Sequence, residues 1–155
     1  MRVSFDLDDT LICYQTEVPR EPCRKPYLLK PWFDEPLRQG APTLMKELQR
    51  QGCDIWICTS SYRSPLLIRL WLAWYGVRVG RIITQDTYEA HLHRYPETYP
   101  PSKNPRIFGI DLHIDDSEGV RQEGEQYGFD VLVIAPEDVQ WTERVAEAVA
   151  QRNRR

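Results

Sequence analysis

The stretch DIWICTSSYRSPLLIRLWLAWYG, residues 54–76, sets a strand directly before a helix. Asp54–Cys58 is a short run built on isoleucine and tryptophan, the composition of a buried strand. A hydroxyl-rich turn, Thr59-Ser60-Ser61, follows it. Ser64-Pro65 then supplies an N-cap and a first helical residue whose missing N–H needs no partner. Leu66, Leu67, Leu70, Trp71 and Trp74 recur at helical spacing, and Gly76 stands at the stop.

The same alternation runs outward in both directions. Arg2–Asp6, Arg81–Thr84, Ile110–Ile114 and Asp130–Ile134 are the other apolar runs that read as strands. Helices are predicted from Gly40-Ala41-Pro42 to Gly52 with Leu44 and Leu48 on one face, from Ser117 to Tyr127 before Gly128, and over Trp141–Gln151. Strands alternating with helices predict an α/β fold, a Rossmann-like parallel five-stranded sheet flanked by helices. Two stretches interrupt the pattern. The interval 11–40 carries Pro19, Pro22, Pro26, Pro31 and Pro36, which excludes long helices and predicts an irregular flap. The interval from Gln85 to Ser102, rich in Tyr, His and Pro, reads as a second irregular loop. A length of 155 residues, with 41% apolar content, suits a single domain over 1–155 with one core.

Ligands in parallel α/β folds bind beyond the carboxyl ends of the strands. The residues at those ends carry chemistry. Asp6-Leu7-Asp8-Asp9-Thr10 follows the first strand and gathers three carboxylates, which repel one another unless a cation joins them. Hard oxygen ligands of this kind suit Mg²⁺. Thr59 and Ser60 follow the second strand and offer hydroxyls to a phosphoryl oxygen. Lys103 is the only lysine after Lys46, and it stands shortly before the fourth strand, where an ammonium can neutralise a phosphoryl group. Asp115-Asp116 ends the fourth strand with a second acidic pair. Each element alone has a plain reading, as an acidic turn, a capping serine, a solvated lysine or an acidic helix start. Their common position at one sheet edge favours a site.

These residues, in this order, resemble the haloacid dehalogenase-like superfamily of aspartate-nucleophile phosphohydrolases. The family's Asp-x-Asp-x-Thr, hydroxyl, lysine and acidic pair match Asp6-Leu7-Asp8-Asp9-Thr10, Thr59, Lys103 and Asp115-Asp116. The likeness spans Val3 to about Ile134. It implies that Asp6 attacks phosphorus to form an aspartyl phosphate and that Asp8 serves as general acid and then base. It also implies that Thr59 and Lys103 hold the transferring oxygens. Asp6, the backbone carbonyl of Asp8, and Asp115 would ligate Mg²⁺, with Asp116 close by or ligating through water. A carboxylate at Asp8 favours phosphoester hydrolysis over dehalogenation, since a halide leaves without a proton. Asp9 has no assigned chemical role and is expected only to stabilise the loop.

The intervals after the first and second motifs leave no room for the family's large cap domain, so an open site is expected. Arg20, Arg24 and Lys25 on the flap, and Tyr62 and Arg63 after the second motif, are candidates to touch substrate, Arg63 and Ser60 being the substrate-binding residues beside Thr59 and Lys103. His91 and His93 read as ordinary loop histidines, Trp71 and Trp74 as core, and the Arg152-Asn153-Arg154-Arg155 tail as a frayed end. Cys13, Cys23, Cys53 and Cys58 form no C-x-x-C pair and read as reduced thiols.

The net charge of −3 argues against a general polyanion binder, leaving nucleic acid only as a substrate. No apolar run reaches the roughly 20 residues of a membrane span, and no leader pattern is visible, so a soluble, cytoplasmic protein is expected. The expected partner is a phosphorylated substrate, small or macromolecular. Oligomeric state, and hydrolase against phosphotransferase, stay open. Two alternatives use the same fold: a receiver-like phosphoaspartate module, and a binding module without turnover. In receiver modules the lysine follows the last strand, whereas here the acidic pair follows the lysine.

Overall fold

The computed structural model describes residues 1–22, 35–96 and 99–154. Five strands, β1 (Arg2–Phe5), β2 (Asp54–Cys58), β3 (Ile82–Ile83), β4 (Leu112–Asp115) and β5 (Val131–Val133), form one sheet in the order β3-β2-β1-β4-β5. Every pairing is parallel. Five helices, α1 (Ala41–Arg50), α2 (Pro65–Trp74), α3 (Gln85–Arg94), α4 (Glu118–Tyr127) and α5 (Trp141–Asn153), flank it. The expected α/β architecture is therefore the observed one. No helix among the described residues is long and apolar enough to cross a membrane.

Strand alternation divides the sheet into two unlike faces. Val3, Phe5, Ile55, Ile57, Leu112 and Ile114 join one large core with residues of α1, α2 and α5. The intervening residues turn the other way. On β2 they are Trp56 and Cys58, which pack with Ile83 and Ile110 in a smaller cluster. On β1 and β4 they are Ser4 and His113, paired directly across the strands. Gly76 and Gly128 sit just past α2 and α4 with φ of 72° and 74°, a left-handed conformation that glycine adopts without strain.

Several expectations need correction. Gln85–Arg94 is a helix, α3, where an irregular loop was predicted. Its single buried residue is Tyr88, so it lacks the apolar stripe that announces a helix. Its closing residues carry His91 and His93; two apart on a helix, they do not face each other. On α2, the buried residues are Ile68, Trp71 and Leu72, while Leu66, Leu70 and Trp74 are exposed. A helix that is apolar nearly all round does not reveal its inner face by periodicity. Of the C-terminal tail, Arg152 and Asn153 belong to α5 and Arg152 pairs with Asp130 at 3.2 Å, Arg154 caps the helix, and Arg155 lies outside the described residues.

The described parts of the flap are irregular and firmly attached. Ile12 bridges Leu37 and Arg20 bridges Arg38, both antiparallel, while Leu11, Ile12, Val18 and Leu37 are buried. Cys23, Arg24 and Lys25 lie outside the described residues. Cys13, Cys53 and Cys58 are buried free thiols.

Candidate active site

The loop that leaves β1 is set by its backbone. Leu11 and Ile12 donate to the Leu7 carbonyl at 2.9 and 2.7 Å, closing a tight turn over Leu7–Ile12. Asp9 sits inside it at φ 55°, and its N–H donates to the Ile12 carbonyl at 2.8 Å. Aspartate tolerates the left-handed region better than most residues, which explains why Asp9 occupies a position between the neighbouring carboxylates. Thr10, fully buried, reaches from this turn to Asp116, donating from Oγ1 to Oδ1 at 3.3 Å.

Parallel register brings the other ends alongside. Phe5 pairs with Ile57 on one side and Ile114 on the other, so Asp6, Cys58-Thr59 and Asp115 leave the sheet at one edge. Lys103 enters from the loop before β4. Its Nζ donates to Asp6 Oδ1 at 2.9 Å and to Asp115 Oδ2 at 2.8 Å, with all three residues buried. One carboxylate oxygen each from Asp6, Asp115 and Asp116 lies within 4.8 Å of the other two. The Asp8 side chain stands outside that cluster. Thr59 is buried, its N–H donating to the Ile83 carbonyl at 2.9 Å and its Oγ1 accepting from Ser61 N at 3.2 Å. Ser60 is exposed at the rim.

Behind the acidic cluster runs a buried relay. Within a strand, residues two apart share a face, so His113 lies next to Asp115 and Ser4 next to Asp6. His113 Nε2 is 2.9 Å from Asp115 Oδ2, and His113 Nδ1 is 2.8 Å from Ser4 Oγ. The second oxygen of Asp115, Oδ1, accepts from Ser117 N at 2.9 Å, where α4 begins. Asp115 is thus fixed on both oxygens.

Electrostatics separate the carboxylates. Burial pushes the Asp6 carboxyl up, and the nearby Asp115 charge adds to this, so its value is raised despite the opposing charge of Lys103. Burial and Asp115 likewise raise Asp116. Burial also acts against charged Asp115, but the His113 hydrogen bond and the Lys103 charge outweigh it and hold this carboxyl well below the usual range. Lys103 is desolvated too, yet Asp6 and Asp115 keep it firmly protonated. Cys58, wholly enclosed beside these groups, is pushed up to about 12 by burial and is therefore a thiol.

Asp8 lives in a different setting. Tyr14 donates its hydroxyl to Asp8 Oδ1 at 2.5 Å and Arg63 donates from Nη1 to Oδ2 at 2.7 Å. Burial opposes its charge, but these two bonds prevail and lower its value. Tyr14, carrying that bond, is pushed up to about 12 by burial and by Asp8. Arg63 also donates to Ser61 Oγ at 2.9 Å, to the Tyr14 hydroxyl at 2.8 Å and to Glu35 Oε1 at 3.3 Å. Arg20, a flap candidate for substrate contact, instead holds the carbonyls of Cys13, Tyr14 and Gln15, each at 3.2 Å. Tyr62 is exposed and its hydroxyl donates to Glu89 at 2.5 Å.

Ser4, Tyr14, Glu35 and His113 are members of this constellation that sequence reasoning missed. A histidine inside the apolar run Leu112-His113-Ile114 was a visible signal; nothing in the sequence marked the others. Comparison of the chain with protein-family models and with curated proteins returned no match.

Proposed function

We propose that this chain is a Mg²⁺-dependent phosphatase of the haloacid dehalogenase-like kind, hydrolysing phosphate monoesters through an aspartyl phosphate on Asp6. The observation that carries the reading is Lys103, buried and bonded to both Asp6 and Asp115, with Asp116 completing a carboxylate cluster within 4.8 Å. Three carboxylates against one ammonium leave two negative charges in a desolvated place. A divalent cation matches that deficit, and an all-oxygen donor set suits Mg²⁺. Asp6, Asp115 and Asp116 would hold it, with the Asp8 carbonyl as the fourth expected protein ligand. When bound, Mg²⁺ screens the repulsion between the nucleophile and the phosphoryl oxygens.

The chain's own residues divide the remaining work. Asp6 attacks phosphorus, and the ester P–O bond breaks with its electron pair on the leaving oxygen. Asp8, a carboxylate before substrate binds, takes up a proton from solvent on Oδ2 once Arg63 withdraws, delivers it to that oxygen, then takes one from the water that cleaves the acyl phosphate. Lys103 orients Asp6 and meets the transferring oxygens, and the Thr59 hydroxyl stands at the same edge to bind them. His113 and Ser4 hold Asp115 in one orientation, as outer partners of metal ligands commonly do. The buried free thiols suit a reducing compartment such as the cytoplasm.

The test is hydrolysis of an aryl phosphate with Mg²⁺, with EDTA, and by Asp6→Asn. Turnover is expected to need Mg²⁺, and Asp6→Asn is expected to lower kcat by at least about 10³-fold. Undiminished activity in Asp6→Asn would overturn the nucleophile assignment.

A further inference from the structure

Each carboxylate oxygen of Asp8 already carries a donor. Oδ1 accepts from Tyr14 and Oδ2 from Arg63, so a leaving-group oxygen that approaches Oδ2 meets a guanidinium seated there. Arg63 is the donor placed to move. Its side chain is 24% exposed, and it hangs from the loop that follows Thr59. Its strongest partners are carboxylates, Asp8 at 2.7 Å and Glu35 at 3.3 Å. A guanidinium exchanges one oxyanion for another readily, because its flat fork fits carboxylate and phosphate alike.

The other described cations near this edge are committed differently. Lys103 is enclosed between Asp6 and Asp115. Arg38 is buried and donates to the carbonyls of Thr10, Ala135, Pro136 and Asp138. Arg20 is bound to three loop carbonyls. Taking an arginine from backbone carbonyls dismantles a loop, whereas taking Arg63 from Asp8 releases a side chain the proposed reaction needs.

We propose that Arg63 selects phosphomonoesters carrying a second oxyanion close to the scissile phosphate, and that this oxyanion takes Arg63 from Asp8 and frees Asp8 Oδ2 for the leaving oxygen. The proposal rests on the phosphatase reading and names its substrate class. The second oxyanion is a carboxylate or a further phosphate within a few bonds of the ester oxygen. A substrate without it offers Arg63 nothing in exchange and leaves Asp8 held. Recognition and release of the general acid are then one event, a form of induced specificity.

Two probe pairs isolate the second charge: 3-phosphoglycerate against glycerol 3-phosphate, and 2-phosphoglycerate against glycerol 2-phosphate. Within each pair a carboxylate replaces a hydroxymethyl group. With Mg²⁺, kcat/KM is expected to favour the glycerates by about 10–100-fold, the worth of a charge-assisted pair. Arg63→Gln is expected to bring both ratios close to one, and Arg63→Lys to keep part of the preference because it retains charge without the fork. Ratios near one in the wild type would overturn the proposal. So would Arg63→Gln slowing both members of a pair equally, which would leave Arg63 as a residue that only positions Asp8. Calorimetric binding of the same four compounds to Asp6→Asn with Mg²⁺ separates this from the phosphatase reading. Arg63-dependent preference in binding, with no ester hydrolysed by the wild type, would retain the anion selection and remove the phosphatase. Hydrolysis without preference would do the reverse.

Discussion

The Asp8 carboxylate accepts from Tyr14 and Arg63 together, and both bonds favour its charged form. Its value therefore falls below the ordinary 3.8. A carboxyl depressed in the folded state adds stability above its unfolded value, and that contribution disappears as pH falls through the folded value. Asp8→Asn should accordingly lower the urea midpoint at about pH 7, and its deficit against the wild type should close as the pH is taken below 3.8. A deficit independent of pH would mean that packing, rather than charge, is lost. At this scale the grouping of Asp6, Asp115, Asp116 and Lys103 was legible because each stands at or near the end of a strand in a parallel sheet, and the structure brings them together. Tyr14 and Glu35 were not legible, since a tyrosine and a glutamate in a proline-rich loop read the same whether they face solvent or meet an arginine brought from β2. Ser4 gains meaning only once β1 and β4 pair, because the hydrogen bond to His113 spans a sequence separation of 109.

At the level of elements, helices with a one-sided apolar pattern were legible and helices without one were not. α1 buries Leu44, Met45 and Leu48 on one side and shows that pattern in its sequence. α3 hangs on Tyr88, whose ring is buried and whose hydroxyl donates to the Pro101 carbonyl at 2.9 Å. A single anchor leaves too faint a period to read, and it makes a sharp prediction. Tyr88→Ala should destabilise the protein by about 3 kcal/mol, with amide exchange in 85–94 rising well above that in α1 and α5. Equal protection of α3 and α1 in the variant would show that α3 has other support. α2 failed for the opposite reason: Leu66, Leu70 and Trp74 are as apolar as Ile68 and Trp71, and only packing against the sheet decides which of them is buried.

Across the whole molecule, Arg38 joins regions that no strand pairing connects. It is buried and donates to the carbonyls of Ala135, Pro136 and Asp138 beyond β5 and of Thr10 beyond β1, while its guanidinium lies 4.7 Å from the Trp141 ring centre. Removing it strands the buried Thr10 carbonyl and three part-buried carbonyls at once. Arg38→Ala should therefore lower unfolding free energy by about 3 kcal/mol in a single transition; a change confined to surface-loop exchange, with the global midpoint unmoved, would contradict that role. The sheet order carries a further consequence, one of timing. β1 lies at the centre of the sheet but is translated before both of its neighbours. Once β2 has emerged, one edge of β1 is satisfied, while the other waits through several seconds of synthesis, at about 5–20 residues per second, for β4 to arrive. In that interval the nascent chain displays an unpaired apolar strand edge, and Asp6 has neither Lys103 nor Asp115 beside it, so the buried charge cluster closes only when the second half of the sheet docks.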